Sequence, residues 1–328
     1  MGSKVLTPLT VLPLVIGIAW LAPASAAGQP PTTPWGDPDL QGFWTNTTTT
    51  PLQRPDDLAG QETLTAEELA VRDPQVAEAV SFDDPQGRGR GGYNEFWVER
   101  GNLLTQTSLI VDPPDGKLPA MTAAAQRRHD AFMARWTAAP TTWEDLNILD
   151  RCITRGLPGA MIPGFYNHNY LILQTPDHVV VQLEMIHDAR IIPLDGRAHV
   201  SGRIRQWLGD PRGRWEGETL VVDSTNFSPK TEQRPNFFGI YFPVLSTGEH
   251  LHFVERFTRV DADTLDYRFT VADAAVDTRP WTAATPMTRI EQPLFEYACH
   301  EGNYAMANGL SGTRAEQRAA EAGAKGPR

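Results

Sequence analysis

The chain has 328 residues, of which 41% are hydrophobic, and its formal net charge is −11 at pH 7. This negative charge argues against nucleic acid and anionic membranes as partners, because both repel an acidic surface. A chain of this length can bury one large core or two modest ones, and its 27 prolines and 27 glycines favour many turns over long helices.

The first 26 residues have the pattern of a secretory signal peptide. Lys4 supplies a positive charge, an apolar run extends from Val5 to Leu21, and Ala24-Ser25-Ala26 resembles a cleavage site. Two prolines interrupt the apolar run and no stop-transfer charges follow it, so we expect no retained transmembrane helix. The mature protein is therefore predicted to be periplasmic or secreted.

After the signal peptide, residues 27–54 read as an extended, proline-rich lead followed by the first strand. That strand contains Gly42-Phe43-Trp44. The Gly-x-Trp pattern resembles the entry strand of lipocalin-like calycin barrels, in which the tryptophan closes one end of the barrel. An ordinary strand that happens to contain glycine and tryptophan is the alternative interpretation.

Residues 55–150 are predicted to form an excursion of helices and loops. Thr65-Ala66-Glu67-Glu68 has the spacing of a capping box, so a helix should start there and be interrupted at Pro74. Residues 108–111 read as a strand followed by a turn. Ala123 to Ala138 has the apolar spacing of an amphipathic helix.

Residues 151–310 are predicted to form the main barrel. From His178 onward the residues alternate between apolar and mixed faces, as a strand requires, and continuing this period places His187 on the apolar face. Short alternating segments separated by turns at Gly209–Gly213 and Gly217 indicate a meander within residues 204–227.

A further predicted hairpin joins residues 251–260 to residues 264–271. Its first strand places Glu255 on a face with Phe253 and Phe257, and an ion pair with Arg259, which shares that face, is the structural alternative to a role in the site. Residues 311–328 are predicted to be a flexible tail, either a frayed helix or disorder.

The only cysteines are Cys152 and Cys299. In an oxidising compartment, an isolated pair forms a disulfide more often than it binds metal or acts as a nucleophile. Such a bond would tie the C-terminal segment to the loop that precedes the Tyr166–Tyr170 cluster.

Several blocks of the sequence resemble a widespread, uncharacterised family of exported bacterial proteins. They are GFYNHNYLILQTP, MIHDARIIPLDGR, WLGDPRGRWEGETLVVDSTNF, HFVERFTRVDADTLDYRFTV and YACHEGNY. The resemblance covers most of the mature chain and implies secretion and a lipocalin-like β-barrel core, without an activity. With the strand pattern it predicts a mainly β fold, an antiparallel lipocalin-like barrel with a helical excursion after the first strand.

The candidate site centres on the loop and strand from residue 164 to residue 190. Histidine suits proton transfer near neutral pH, and amides can stabilise a developing negative charge. We assign acid–base roles to His168, His187, Asp188 and Tyr166. We assign substrate binding to Asn167, Asn169, Glu184, Arg190, Trp207, Phe253 and Glu255.

In this hypothesis His168 and His187 exchange the proton. Asp188 would orient one ring only if a bulge turned it inward, because neighbouring residues on a strand face opposite sides. The alternative is that His187 is a packed core residue and that Asp188 and Arg190 form a surface pair.

Metal and cofactor sites are not predicted. His250-x-His252 places two imidazoles on one strand face, but no HExxH or paired CxxC motif accompanies them. The glycine-rich segments lack nucleotide-binding patterns, and no serine nucleophile has an elbow motif.

The resulting prediction is an exported, cofactor-independent enzyme of the lyase, isomerase or hydratase type, acting on a small organic substrate in a barrel cavity. A non-catalytic lipocalin-like carrier of a hydrophobic small molecule is the alternative. A structural envelope protein with a filled barrel is the third. The sequence leaves the substrate and the oligomeric state open.

Overall fold

The computed structural model describes residues 31–79, 81, 95–136, 139–146, 148–230 and 248–324, so the predicted signal peptide lies outside the described residues. These residues form eleven strands and three α-helices. In chain order they are β1 (Gly42–Thr45), α1 (Ala66–Ala79), β2 (Ile110–Asp112), α2 (Ala123–Trp136), β3 (Asn169–Gln174), β4 (His178–Leu183), β5 (Ala189–Pro193), β6 (Asp210–Glu216), β7 (Thr219–Thr225), β8 (His252–Arg259), β9 (Thr264–Ala272), β10 (Trp281–Ala284), β11 (Met287–Ile290) and α3 (Ala305–Ala324).

All eleven strands belong to one antiparallel sheet, which confirms the prediction of a mainly β protein. The strand order is β5-β4-β3-β1-β11-β9-β8-β7-β6, and β10 pairs with both β9 and β2. The predicted excursion therefore contributes a strand, β2, as well as the helices α1 and α2.

The predicted closed barrel is not confirmed, because the sheet does not close on itself. The path of hydrogen-bonded strands begins at β5 and ends at β6, and no ladder joins these two among the described residues. The two strands meet through side chains: a Cβ on Gly213 of β6 would lie 2.8 Å from Ile192 and 2.6 Å from Leu194. The close contact requires a residue without a Cβ at position 213, which accounts for a glycine within β6. The turn predicted over Gly209–Gly213 is therefore wrong at Gly213.

The core consists of the inward residues of the alternating strands. Burial alternates strictly along β8 and β9, as expected where one face of a sheet is covered. Five inward aromatic rings form a connected cluster in which the centroids of contacting rings are 4.6 to 5.9 Å apart. They are Phe253, Phe257, Tyr267, Phe269 and Trp281. The predicted ligand-binding residue Phe253 is thus a core residue.

The Gly-x-Trp segment forms strand β1, as both interpretations of the pattern predict. Trp44 is completely buried, its indole Nε1–H donates to the carbonyl of Leu40 over 3.0 Å, and the guanidinium of Arg259 lies 5.4 Å from its ring centroid. The cation over the aromatic face adds to the burial of the ring.

The helices agree with the sequence patterns except at Pro74. Thr65 and Glu68 form the predicted capping box, but α1 continues through Pro74 instead of stopping there. A proline removes one backbone hydrogen bond, and this exposed helix tolerates the loss. Helix α3 extends into residues 311–324, for which the sequence leaves a frayed helix or disorder open. None of the described helices combines the length and apolar character needed to cross a membrane.

The disulfide prediction is confirmed. The sulfur atoms of Cys152 and Cys299 are 2.05 Å apart and close a loop of 147 residues. The side-chain amide of Asn303 donates to the carbonyl of Asp150 over 2.9 Å, next to the disulfide. The C-terminal segment is therefore held against the loop that precedes β3.

Asp277, in the turn before β10, provides a test of pH dependence. Burial, followed by the charge of Asp273, raises its pKa from 3.8 to about 6, although the indole of Trp281 donates to it over 3.2 Å. Because the folded carboxyl holds its proton more tightly than the unfolded one, stability is lost as the pH rises from about 4 to about 6.

We expect Asp277→Asn to raise the free energy of unfolding at pH 8 by about 1 kcal/mol, a figure reduced for solvent screening. At pH 4.5 the gain should be smaller. Urea unfolding at the two pH values measures both differences, and an equal gain at both would contradict the assignment.

Candidate functional site

A buried loop positions the candidate site. Residues 154–164 have no helix or strand yet are all buried, which is unusual because loops normally lie at the surface. The loop leads into Asn167 and into Asn169, the first residue of β3. Its burial fixes these two amides relative to the end of β4.

Glu184, which follows β4, is a buried carboxylate with three donors. It is 1% exposed. Its Oε1 accepts from the Nδ2 of Asn167 over 3.0 Å and from the backbone N–H of Phe295 over 3.1 Å, and its Oε2 accepts from the Nδ2 of Asn169 over 2.7 Å. These donors come from two separate parts of the chain, residues 167–169 and Phe295, and hold the carboxylate in place.

A second carboxyl group, that of Glu99, contacts the same amide. The Nδ2 of Asn169 lies 3.2 Å from the Oε2 of Glu99, and the backbone N–H of Glu99 donates to the carbonyl of Phe165 over 2.8 Å. Burial raises the pKa of Glu99, and the nearby charge of Glu184 raises it further. Two carboxyl groups in one site with different surroundings are typical of acid–base centres.

Backbone strain is concentrated around these carboxyl groups. Of the five described residues other than glycine with positive φ, three lie beside Glu184: Asn167 at 52°, Ile186 at 66° and His187 at 57°. A β-branched residue such as Ile186 adopts this conformation at a real energetic cost. Such strain is found most often at functional sites.

The alternation predicts that His187 lies on the apolar face of a strand, and this prediction is wrong. β4 ends at Leu183, and a short 3₁₀ turn over Met185–His187 reverses the chain. The ring of His187 is exposed, and its Nδ1 accepts from the backbone N–H of Tyr297 over 2.9 Å. The apolar period stops because the strand stops.

Asp188 is not a partner of the neighbouring histidine. Its Oδ2 accepts from the hydroxyl of Thr154 over 2.7 Å, and no hydrogen bond to His187 exists among the described residues. Burial raises the pKa of Asp188. The predicted surface pair with Arg190 is also absent from this part of the chain, since Arg190 points into the core.

His168 lies in the core, at 3% exposure. Its Nε2 contacts the Nη1 of Arg155, and a Cβ on Gly164 would overlap its ring. Burial, together with the charge of Arg155, holds the pKa of His168 well below its usual value. The imidazole is therefore neutral.

The remaining predicted residues divide between the core and the rim of the site, by which we mean Tyr166, His187 and Tyr297. The ring of Tyr166 meets that of Tyr297 edge to face at 6.4 Å. Arg190 forms a buried ion pair with Glu255, in place of the Arg259 pairing that the alternation leaves open. Trp207 lies on the loop between β5 and β6 with 37% of its surface exposed, and no described contact joins it to Glu184.

A second polar cluster lies at the β6–β7–β8 end of the sheet. The two ring nitrogens of His199 lie 3.1 Å from the carboxylates of Asp210 and Asp223, and the Nε2 of His252 lies 3.0 Å from Asp223. Among the described residues, no group of three or more histidine, cysteine, aspartate or glutamate side chains is arranged to hold a metal ion. His250 pairs with its neighbour Glu249 at 3.6 Å.

Sequence reasoning missed Glu99 and Arg155. Glu99 lies in the excursion, outside any strand, and no spacing relates it to Asn169, which is 70 residues away. Arg155 was passed over in a glycine- and proline-rich loop, although a cation beside a candidate catalytic cluster was a usable signal.

Comparison of the chain with family models, with curated proteins and with solved structures gives no match.

Proposed function

We propose that the protein is an exported enzyme that performs proton-transfer chemistry of the lyase, isomerase or hydratase type on a small organic substrate. Its site is the cluster of Glu99, Asn167, Asn169 and Glu184. The observation that carries this proposal is the Asn169 amide, which contacts a buried, fully hydrogen-bonded carboxylate and a second carboxyl whose pKa is raised.

In this proposal Glu99 gives and takes the proton. A catalytic acid or base works best when its pKa lies near the working pH, and burial beside Glu184 moves Glu99 in that direction. Glu184 acts through its fixed charge, because three hydrogen bonds already occupy its oxygens. It is a positioning residue.

The histidines take different roles from those that the sequence suggests. A neutral His168 against Arg155 is a poor source of protons, whereas the exposed ring of His187 lies at the rim with Tyr297. Proton exchange between the two rings therefore has less support than transfer by Glu99. His187 and Tyr166 are assigned to the rim that receives the substrate.

Membership of the exported lipocalin-like family and a periplasmic or secreted location belong to the same proposal. The antiparallel sheet, the buried Trp44 in the Gly-x-Trp strand and the disulfide support them. The carrier alternative has less support, because the inward positions of β8 and β9 are filled by large aromatic rings.

The test is the exchange of substrate protons with solvent. The mature protein is incubated with a panel of small organic compounds in D₂O, and deuterium incorporation is followed by NMR. Glu99→Gln should slow exchange of the responding compound by about 10²–10⁴-fold. The wild-type rate should also follow the titration of Glu99, at a pH above the usual carboxyl range, and the variant should lose this dependence.

The matched control is Glu67→Gln, the same chemical change on the exposed face of α1, which should leave the rate unchanged. A wild-type rate in Glu99→Gln would remove Glu99 from the mechanism. No exchange with any compound, combined with an apolar molecule that co-purifies with both proteins, would favour the carrier.

A further inference from the structure

Arg155 is a buried cation without a counter-ion. It is 8% exposed, and its only hydrogen-bond partner among the described residues is the Nε2 of His168. A charge removed from water is costly unless an opposite charge or several acceptors replace the water. One imidazole nitrogen does not satisfy the five N–H donors of a guanidinium.

Among the described residues, no carboxylate pairs with Arg155 or raises its pKa. Burial lowers its pKa to about 10, and the groups that oppose this shift are the tyrosines Tyr170 and Tyr297. The hydroxyl of Tyr170 is already engaged with Asn46 and with the carbonyl of Ala160. The positive charge of Arg155 therefore has no counter-ion among the described residues.

The other buried arginines of the described chain show what a satisfied guanidinium looks like here. Arg54 donates to the hydroxyl of Thr107 over 2.9 Å and to the carbonyl of Pro114 over 2.8 Å. Arg190 pairs with a carboxylate, and Arg259 donates to three backbone carbonyls. Arg155 has neither kind of acceptor.

His168 adds a second unsatisfied donor. Because its Nε2 faces an N–H of Arg155, that nitrogen is the acceptor, and the proton of the neutral ring is assigned to Nδ1. The Nδ1 atom is buried and has no hydrogen-bond partner in the described part of the chain. Gly164 lies against the Nε2 edge of the ring, where a Cβ would overlap it. Two adjacent buried groups thus have donors to offer and no acceptor to receive them.

This pair of donors adjoins the proposed catalytic cluster. His168 stands between Asn167 and Asn169, whose amides hold Glu184. Tyr297, which lies near Arg155, bonds through its backbone to the rim residue His187. The donors of Arg155 and His168 and the cluster around Glu184 therefore belong to the same part of the fold.

We propose that Arg155 and His168 bind the carboxylate of the substrate, so that the substrate class is small organic acids. A carboxylate is an acceptor without N–H donors, its two oxygens match the planar fork of a guanidinium, and its single charge balances one arginine beside a neutral histidine. This inference rests on the proposed function, which it makes more specific.

The test measures binding without requiring turnover. The thermal midpoint of the mature protein is recorded with acetate, benzoate, acetamide, benzamide and inorganic phosphate, with sodium chloride holding the ionic strength constant. Benzoate or acetate should raise the midpoint by about 5 °C at a hundredfold excess over Kd, because a ligand of the folded state stabilises it. The amides should have no effect.

The variants separate the site from general salt effects. Arg155→Met should abolish the shift, and Arg155→Lys, which keeps the charge but not the fork, should weaken binding at least about tenfold. Arg54→Met removes another buried arginine, so it should lower the starting midpoint and keep the full carboxylate shift. If Arg155→Met does not fold, Arg155→Lys and His168→Gln decide the matter by their weakened binding.

Three results would overturn the inference: equal shifts with chloride and carboxylate, a larger shift with phosphate than with any carboxylate, or an undiminished shift in Arg155→Lys and His168→Gln. The proposed function fails separately, because it depends on proton exchange in Glu99→Gln. Carboxylate binding with normal exchange in that variant refutes only the role of Glu99. If Glu99→Gln loses proton exchange but the protein binds no carboxylate, only the anion site is refuted.

Discussion

Replacing Glu255 by leucine is expected to lower the free energy of unfolding by about 3–5 kcal/mol. Glu255 on β8 is completely buried and pairs with Arg190 on β5, whose Nη1 donates to its Oε1 over 2.8 Å. The hydroxyl of Tyr267 donates to the same oxygen over 2.8 Å. Without the carboxylate, the guanidinium would stay buried and unpaired, and this accounts for most of the loss.

The double variant Arg190→Met/Glu255→Leu is the control. Because the desolvation of two charges offsets most of their attraction, replacing both with apolar residues should recover most of the lost stability. Urea unfolding of the two single variants and the double variant gives the coupling free energy. A double variant as unstable as Glu255→Leu would show that the cost arises from packing and not from the stranded charge.

This ion pair also marks the limit of strand patterns. Alternation correctly places Glu255 and Arg259 on one buried face of β8, and their pairing is an alternative that the sequence leaves open. In the structure Arg259 lies over Trp44 and donates to backbone carbonyls, while the carboxylate meets an arginine 65 residues away. Periodicity determines which face a side chain occupies, but a partner from a strand that is not a neighbour depends on how the sheet folds over.

Local patterns were sufficient where the cause is local. The capping box at Thr65, the hairpin from β8 to β9 and the disulfide from a lone cysteine pair all follow from short-range rules or from composition. Local patterns were not sufficient for the closed barrel. Closure depends on how the edge strands β5 and β6 meet, and the sequence of a single strand does not determine this.

The structure brings three of the predicted site residues together, Asn167, Asn169 and Glu184. The cluster around Asn167 and Asn169 was recognised, since amides and histidines in a loop punctuated by glycine and proline are typical of sites. The proton-transfer roles were placed on the histidines because their usual pKa suits neutral pH. Burial reverses that reasoning, since it lowers the pKa of His168 and raises that of Glu99, and burial cannot be read from a loop sequence.

Removing the disulfide by Cys152→Ser/Cys299→Ser is expected to lower the free energy of unfolding by about 5 kcal/mol, the chain-entropy value for so long a loop. It should also affect the site, because the tethered segment supplies the N–H of Phe295 to Glu184 and that of Tyr297 to His187. Hydrogen exchange at these two amides should accelerate more than exchange within β8 and β9, which the disulfide does not tether.

Wild-type protein treated with a reductant is the matched control for the serine variant. Both should show the same lower thermal midpoint, and both should lose protection at Phe295 and Tyr297 first. The amide of Asn303 still donates to the carbonyl of Asp150 without the disulfide, so the segment should loosen and not detach. Unchanged stability with unchanged protection would mean that these hydrogen bonds alone hold the C-terminal segment against the site. The disulfide would then restrict the unfolded chain only negligibly. This would contradict the large loss of chain entropy expected when a loop of 147 residues is closed.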